Sequence, residues 1–254
     1  MESLVGKTIL ITGASRGIGA AVARATGAAG ANVIAHYGSY REGAVEALRD
    51  VPNDRRFLVS GDLSEPNSAR RLWNESLAWR ERIDVVVLNA AVNVETPFES
   101  SDEQWDAGWD STLRVNVLAT AALLKESVNH FVGIGGGVVI GLSSWSAQQG
   151  SRIPELTAYA ASKAAVKAMV QTVARNYAAM GVLGYVIAPG VVKTRMADHA
   201  ALTYGGEAAL KSGLVLGELV PPEELAELVV FLSSGRNRHL TGATFDVNGA
   251  SYIR

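Results

Sequence analysis

A tyrosine and a lysine four residues apart form the clearest candidate for acid–base chemistry in this sequence. Tyr159 and Lys163 lie in residues 157–180, an Ala-rich stretch that predicts a long helix. The i, i+4 spacing places both side chains on one helix face, one turn apart. A phenol ordinarily titrates near pH 10, and a neighbouring ammonium is expected to lower that pKa. Such a pair can exchange a proton with a carbonyl or an alcohol, although Tyr–Lys pairs are also common on helix surfaces.

A glycine-rich segment near the N-terminus predicts a phosphate-binding turn. Thr12-Gly13-Ala14-Ser15-Arg16-Gly17-Ile18-Gly19 follows an apolar strand and opens a helical stretch. Glycines permit a tight turn and close approach of the backbone to a pyrophosphate, and the helix N-terminus offers free N–H groups. The Lys-Ser/Thr pair of a P-loop is missing, which disfavours hydrolysis of a nucleoside triphosphate.

Two further polar sites support a catalytic interpretation. An apolar strand over residues 138–142 is followed by Ser143, Ser144 and, two positions later, Ser146. Because ligands of open sheets bind at the carboxyl ends of strands, a hydroxyl there can bind a substrate oxygen. Asn116 lies in an otherwise apolar helical stretch, where an amide is costly unless it is hydrogen-bonded. It therefore serves either a site or a satisfied position in the core.

The elements that must position these residues alternate between short apolar runs and longer helical patterns. This alternation predicts an α/β fold, a Rossmann-type doubly wound sheet of about seven parallel strands with helices on both faces. We expect a single dinucleotide-binding domain over residues 1–254, with a substrate loop or lid at about 196–219. The predicted strands are 8–11, 32–37, 57–59, 83–88, 138–142, 183–187 and 243–247, and the predicted helices are 17–29, 42–48, 67–80, 103–132, 157–180 and 222–233.

Composition narrows the functional class. The 254 residues are 48% hydrophobic, which excludes global disorder, and the net charge of −2 argues against a nucleic-acid partner. The chain has no cysteine, so disulfides and thiol chemistry are excluded, and its four histidines are scattered without the spacing of metal ligands. No targeting segment and no apolar run long enough to span a membrane is visible, so we expect a cytoplasmic protein.

The order and spacing of the motifs resemble the short-chain dehydrogenase/reductase family, in its compact single-domain branch, with similarity to 3-oxoacyl-carrier-protein reductases. The resemblance runs from Lys7 to about Gly249. It is carried by the turn at 12–19, Asp62-Leu63, Asn89-Ala90-Ala91, Asn116, the serine before the long helix, Tyr159 with Lys163, and the segments 189–194 and 240–249.

The resemblance implies a role for each matching residue. Tyr159 would be the general acid or base, Lys163 would hold the nicotinamide ribose, Ser144 would orient the substrate carbonyl, and Asn116 would hold a relay water. Substrate contacts are expected from Asn93, Trp145, Gln149 and Tyr204. The expected cofactor-binding residues are Gly13, Ser15, Arg16, Gly17, Ile18, Gly19, Tyr37, Ser39, Asp62, Leu63, Asn89, Ala90, Ala91, Tyr159, Lys163, Pro189, Gly190, Val192 and Thr194.

The end of the second strand predicts NADP(H) rather than NAD(H) as the cofactor. An acidic residue there binds the ribose 2′-hydroxyl in NAD enzymes, but Tyr37 stands at that position here. Arg16 can pair with a 2′-phosphate, with Ser39 and Arg41 as further donors. In the family, a basic residue at this place in the turn is typical of members that prefer NADP.

Several alternatives remain open at this stage. Ser143 or Ser146 can replace Ser144, and Ala91 stands where the family usually has glycine. The leading function implied by the resemblance is a single-domain, NADP-dependent oxidoreductase that transfers a hydride between the nicotinamide and a ketone or secondary alcohol. Reduction of a 3-oxoacyl thioester and a catalytically silent NADP-binding regulator are the competing functions. Enoyl reduction is disfavoured because relatives of that kind space Tyr and Lys by seven residues, and Val166 stands at that position. The family also implies a homodimer or homotetramer that takes a small carbonyl or alcohol substrate.

Overall fold

The strands form one parallel sheet. A computed structural model describes residues 3–203 and 205–254, and within them seven strands pair in the order β3-β2-β1-β4-β5-β6-β7. The predicted fold class is confirmed. The inner strands consist mainly of buried Val, Ile and Leu, because helices cover both faces of the sheet. The strands are β1 Thr8–Ile11, β2 Asn32–Tyr37, β3 Arg56–Ser60, β4 Val85–Leu88, β5 Gly137–Leu142, β6 Val182–Pro189 and β7 Thr244–Val247.

The helices form a layer on each side of the sheet. Apolar residues of α1, α2 and α10 pack on one face, and those of α3, α5 and α7 pack on the other. Among the described residues, no helix has the length and apolar character needed to cross a membrane. The helices are α1 Gly17–Ala28, α2 Arg41–Ala47, α3 Ser68–Arg80, α4 Asp102–Leu113, α5 Thr120–Gly133, α6 Ser146–Gln149, α7 Thr157–Tyr177, α8 Arg195–Thr203, α9 Glu207–Ser212 and α10 Pro222–Ser233.

Two segments differ from the prediction. The helix expected over 103–132 contains a π-helical turn, Arg114–Ala119, between α4 and α5. The apolar pattern does not reveal this π-helical turn, because the turn lengthens the helical repeat by only one residue. The segment 196–219, which showed no clear pattern, contains α8 and α9. These helices have nine and six residues, too few turns to display a recognisable periodicity.

The sheet brings the polar motifs to one edge. Strand β1 pairs in parallel with β2 on one side and with β4 on the other. The order in which successive strands are added to the sheet therefore reverses beside β1. Ligands of open α/β sheets bind outside the carboxyl ends of the strands at such a point. The glycine-rich turn follows β1, Asn89 follows β4, and Ser143 follows β5, so all three meet there.

Candidate active site

A cleft of about 880 Å³ runs along the carboxyl edge of the sheet. Gly19, Tyr37 and Asn116 do not line it, and Tyr204 lies outside the described residues. The other predicted site residues all line this cleft: Gly13, Ser15, Arg16, Gly17, Ile18, Ser39, Asp62, Leu63, Asn89, Ala90, Ala91, Asn93, Ser144, Trp145, Gln149, Tyr159, Lys163, Pro189, Gly190, Val192 and Thr194.

The glycine-rich turn forms a cradle in which the glycine positions have no room for a side chain. Gly13 has a φ of +68°, and a Cβ atom at Gly19 would lie 2.1 Å from the Gly13 carbonyl oxygen. No side chain caps the N-terminus of α1, and Gly17 and Ile18 face the cleft. The first N–H groups of this helix are therefore available to an anion, which fits the pyrophosphate of a dinucleotide.

Residues after β4 hold the cradle in place through hydrogen bonds. The Asn89 side-chain amide donates to the carbonyl oxygens of Thr12, at 2.8 Å, and Gly13, at 3.2 Å. The Thr12 hydroxyl accepts the backbone N–H groups of Asn89 and Ala90, each at 3.0 Å. Asn89 therefore acts on the turn itself as well as lining the cleft beneath a nucleotide.

His36 holds the same turn from the side of β2, and the sequence analysis missed this role. Its Nδ1 accepts the Gly13 N–H at 3.1 Å, and its Nε2 lies 2.9 Å from the Gly61 carbonyl oxygen. The signal in the sequence is a histidine in the otherwise apolar stretch Val33-Ile34-Ala35-His36. A buried imidazole at that place needs hydrogen-bond partners, and the adjacent turns supply them.

Arg16 lies at the end of the cleft beside the glycine-rich turn, but the tyrosine next to it is not the one that was expected. Tyr37 was expected at this end of the cleft and lies outside the lining, because successive side chains of a strand point to opposite faces and His36 takes the inward place. Tyr40 lies in the cleft instead, with the Arg16 guanidinium 5.4 Å from its ring centroid. The hydroxyl and N–H of Ser64 hold the pKa of Asp62 below its usual value, so this carboxylate is ionised.

The three serines after β5 have different partners, which decides among them. Ser144 lines the cleft with Tyr159, and its hydroxyl acts to lower the pKa of that phenol against the larger effect of burial. The Ser144 hydroxyl accepts from the Ser146 hydroxyl at 2.8 Å and from the Ser146 N–H at 3.2 Å, which leaves its own proton free to donate. Ser143 donates to the Lys163 carbonyl oxygen at 2.8 Å and tethers α7 to β5. The geometry therefore favours Ser144 as the reactive hydroxyl, with Ser146 as its support.

Burial governs the protonation of the Tyr–Lys pair. It raises the pKa of Tyr159 to about 12, while the hydrogen bond from Ser144 acts in the opposite direction. Burial also lowers the pKa of Lys163 to about 8. The Lys163 ammonium donates to the Leu142 carbonyl oxygen at 2.8 Å and lies 5.8 Å from the Tyr159 ring centroid. Burial therefore moves the pKa of Tyr159 upward, whereas the sequence predicted a lowering by Lys163.

Asn116 has a different contact from the one expected. Its side-chain amide accepts the Val92 N–H at 2.8 Å, and it donates to the Val92 carbonyl oxygen at 2.9 Å and to the Ser162 hydroxyl at 3.0 Å. Both amide protons are therefore used, and this side chain does not donate to a relay water. It holds the segment after β4 against α7 from within the π-helical turn.

The remaining part of the cleft is lined by side chains of mixed polarity. The backbone N–H of Trp145 donates to the Pro189 carbonyl oxygen at 2.9 Å and places this residue in the cleft. Met196 and His199 of α8 and Leu210 of α9 contribute to the opposite wall. Within the described residues, no group of three His, Asp or Glu side chains is arranged to hold a metal ion.

Comparison with known proteins decides the family. Residues 13–250 match the family model described as enoyl-(acyl carrier protein) reductase. A curated relative, 3beta-hydroxysteroid dehydrogenase 1 of Eggerthella lenta, is 32% identical over 251 residues, covering 98% of this chain and 94% of the relative. The chain belongs to the short-chain dehydrogenase/reductase family. It is an oxidoreductase of this family, whose members act on hydroxyl and carbonyl groups.

Further relatives agree with this short-chain dehydrogenase/reductase assignment. A 3-oxoacyl-[acyl-carrier-protein] reductase of Rickettsia conorii is 32% identical over 250 residues, covering 98% of each chain. The crystal structure of a 3-oxoacyl (acyl-carrier-protein) reductase from Agrobacterium tumefaciens with NADP bound matches with a TM-score of 0.86 at 30% identity. That match covers 97% of this chain and 95% of the other.

Proposed function

We propose that this short-chain dehydrogenase/reductase transfers a hydride between NADP(H) and a ketone or secondary alcohol, with Tyr159 as general acid and base. The observation that carries the proposal is that Ser144, Tyr159 and Lys163 line one cleft, with the Lys163 ammonium 5.8 Å from the Tyr159 ring centroid. A phenol, a hydroxyl and an ammonium in one cleft are the groups that bind and protonate a carbonyl oxygen.

The residues along the cleft fit the successive parts of the dinucleotide. The N-terminus of α1 would bind the pyrophosphate, and Arg16 a 2′-phosphate. Lys163 would hold the nicotinamide ribose, and the bound nicotinamide supplies a hydride for reduction or accepts one in oxidation. Asp62 and Leu63 would contact the adenine, Asn89, Ala90 and Ala91 the adenosine ribose, and Val192 and Thr194 the carboxamide.

The protein's own groups would handle the proton. The Ser144 hydroxyl, supported by Ser146, would bind the carbonyl oxygen and orient it toward Tyr159. Because the pKa of Tyr159 is about 12, the phenol is protonated at neutral pH and can donate as the oxygen becomes an alkoxide. The Lys163 ammonium would stabilise the negative charge that develops next to it. In oxidation the same groups act in reverse.

A panel of ketones tests this function. Turnover is followed through the near-ultraviolet absorbance of NADPH, with a simple cyclic ketone, a hydroxysteroid ketone, a sugar-derived ketone and a 3-oxoacyl thioester as substrates. Consumption of NADPH with any of them supports the oxidoreductase, and preference for the thioester supports the alternative of a carrier-protein reductase. Tight dinucleotide binding without turnover on any carbonyl would favour the silent regulator.

The segment 196–219 is the proposed substrate lid. Met196, His199 and Leu210 bring side chains from α8 and α9 to the cleft, opposite Trp145 and Gln149. A pair of short helices can move as a unit on the connections that flank it, so it is suited to close over a substrate. We propose that Asn93, Trp145, Gln149 and Tyr204 complete the substrate contacts.

We expect Arg16→Ala to weaken NADPH binding by about 1.5–3 kcal/mol, the usual contribution of a charged hydrogen bond, and to leave NADH binding nearly unchanged. The reason is that only NADPH carries a 2′-phosphate for this guanidinium. Titration calorimetry with both cofactors measures the difference. Arg24→Ala is the matched control, since Arg24 lies further along α1 and does not line the cleft. Equal losses for both cofactors in the Arg16 variant, or a wild-type preference for NADH, would contradict the assignment.

We expect the protein to form a homodimer or homotetramer. Leu118, in the π-helical turn, is 61% exposed, and Phe98, which packs on Trp105 of α4, is 63% exposed. Exposed large apolar side chains just before α4 and in the π-helical turn after it are suited to bury surface against a second copy. Multi-angle light scattering at micromolar concentration gives the mass directly, and a monomer across that range would refute the expectation.

A further inference from the structure

We propose that His36 is a positioning residue of the dinucleotide site, whose neutral imidazole holds the glycine-rich turn in its phosphate-binding conformation and makes cofactor affinity depend on pH. The inference rests on the proposed function, because it assumes that the cradle binds a dinucleotide. It assigns a role to a residue that does not itself have to touch the cofactor.

The geometry defines one tautomer of the ring. Nδ1 accepts the Gly13 N–H at 3.1 Å, so it carries no proton. Nε2 lies 2.9 Å from the Gly61 carbonyl oxygen, which can only accept, so Nε2 carries the proton. His36 is 2% exposed, and both of its ring nitrogens are used. A neutral imidazole therefore ties the turn after β1 to the end of β3.

The same residue also holds the next N–H group of the turn. The His36 carbonyl oxygen accepts the Ala14 N–H at 2.7 Å. Two consecutive donors of the turn, those of Gly13 and Ala14, are thus satisfied within the protein. The donors that remain for phosphate are those at the start of α1, and His36 helps to fix the turn that aims them at the cleft.

Protonation of the ring would break this arrangement. An imidazolium carries N–H groups on both nitrogens, so Nδ1 would confront the Gly13 N–H donor to donor. Burial lowers the pKa of His36, while the Gly61 carbonyl acts in the opposite direction. The charged groups on the adjoining elements are Arg16 of the turn and Asp62 after β3, and neither is hydrogen-bonded to the ring. The Asp62 carboxylate is held by Ser64. The phenols on these elements are those of Tyr37, in β2, and Tyr40, just after it.

The direction of the pH effect follows from the lowered pKa. The ring stays neutral at neutral pH and gains a proton only in the acidic range, below the ordinary value for histidine. Each pH unit below the pKa of the free protein can reduce affinity by up to about tenfold, until the pKa of the bound state is reached, because binding in that interval requires loss of the proton. Cofactor affinity is therefore expected to fall on acidification.

Dissociation constants for NADPH and NADH, measured by fluorescence between about pH 7.5 and about pH 5, test the proposal. Wild type is expected to lose roughly fivefold or more in affinity for NADH over this range. His36→Asn keeps an acceptor near the Nδ1 position but cannot titrate, so its NADH affinity should match wild type at about pH 7.5 and stay flat on acidification. His36→Leu should bind at least about tenfold more weakly at every pH.

NADH is the deciding ligand, because the 2′-phosphate of NADPH itself titrates in this range. His130→Asn is the matched control: its Nε2 also accepts a backbone N–H, that of Ile83 at 3.2 Å, but His130 does not line the cleft. That variant should retain the wild-type pH dependence.

The outcomes separate this proposal from the proposed function. If wild type binds neither dinucleotide, both proposals fail. If wild type binds NADH and the His36→Asn variant keeps the same pH dependence, or if affinity in wild type is flat, the role of His36 alone is overturned. Circular dichroism melting curves show whether each variant is folded, and the comparison of wild type with His36→Asn remains decisive if His36→Leu does not fold.

Discussion

Replacing Tyr159 by phenylalanine is expected to abolish turnover while leaving dinucleotide affinity nearly unchanged. The substitution removes only the phenolic hydroxyl in the cleft, the group proposed to exchange a proton with the substrate. General acid catalysis commonly contributes a factor of about 10² to 10⁴ in rate, so kcat should fall by at least about 100-fold. Stopped turnover in the absorbance assay, with an unchanged dissociation constant for NADPH, would establish this role.

A second tyrosine of the same helix provides the control. Tyr177 ends α7, and it packs on the core that covers one face of the sheet, away from the cleft. Tyr177→Phe should keep wild-type kcat. If Tyr159→Phe retains more than about a tenth of wild-type kcat, a loss below about 1.4 kcal/mol, then Tyr159 is not the general acid.

Replacing Lys163 by methionine is expected to reduce kcat/KM by at least about 100-fold and to change the pH dependence of stability. The ammonium is the positive charge beside Tyr159, and methionine fills similar space without it. Lys163 is 4% exposed, and burial lowers its pKa from 10.5 to about 8. The folded protein therefore holds this proton less tightly than the unfolded chain does.

The sign of the stability effect follows from this difference. Between about pH 8 and about pH 10.5 the unfolded chain binds the proton and the folded protein does not, so the free energy of unfolding rises with pH. Below about pH 8 both states are protonated, and the fold bears the full cost of the buried charge. The wild type should thus gain up to about 3 kcal/mol relative to Lys163→Met across that interval.

Chemical denaturation of both proteins at several pH values measures this gain. The difference between the two is required, because other groups titrate in the same range. Lys167→Met is the matched control, since Lys167 lies one turn further along α7, bonds to Gln148 and does not line the cleft. A difference between wild type and Lys163→Met that stays flat or falls with rising pH would contradict the buried ammonium.

Local sequence was sufficient for the sheet and for the main catalytic pair. The strands are runs of Val, Ile and Leu bounded by turns, and this pattern follows from burial on both faces, so seven of them were placed correctly. Tyr159 and Lys163 are one helical turn apart, so their shared face follows from helix geometry alone. Ser144 was expected at the carboxyl edge because it comes just after β5, and the carboxyl ends of parallel strands lie at one edge of the sheet.

The protonation states and the support of the cradle were decided only by the tertiary structure. The spacing of Tyr159 and Lys163 suggested that attraction lowers the phenol's pKa, but Lys163 is buried and Tyr159 partly buried, and desolvation raises the pKa of the phenol instead. His36 contacts Gly13 and Gly61, which lie 23 and 25 residues away from it in the chain. Sequence by itself determined which residues follow which strand. Which donor faces which acceptor, and how much water each has lost, depends on distances that arise only when separate segments pack together.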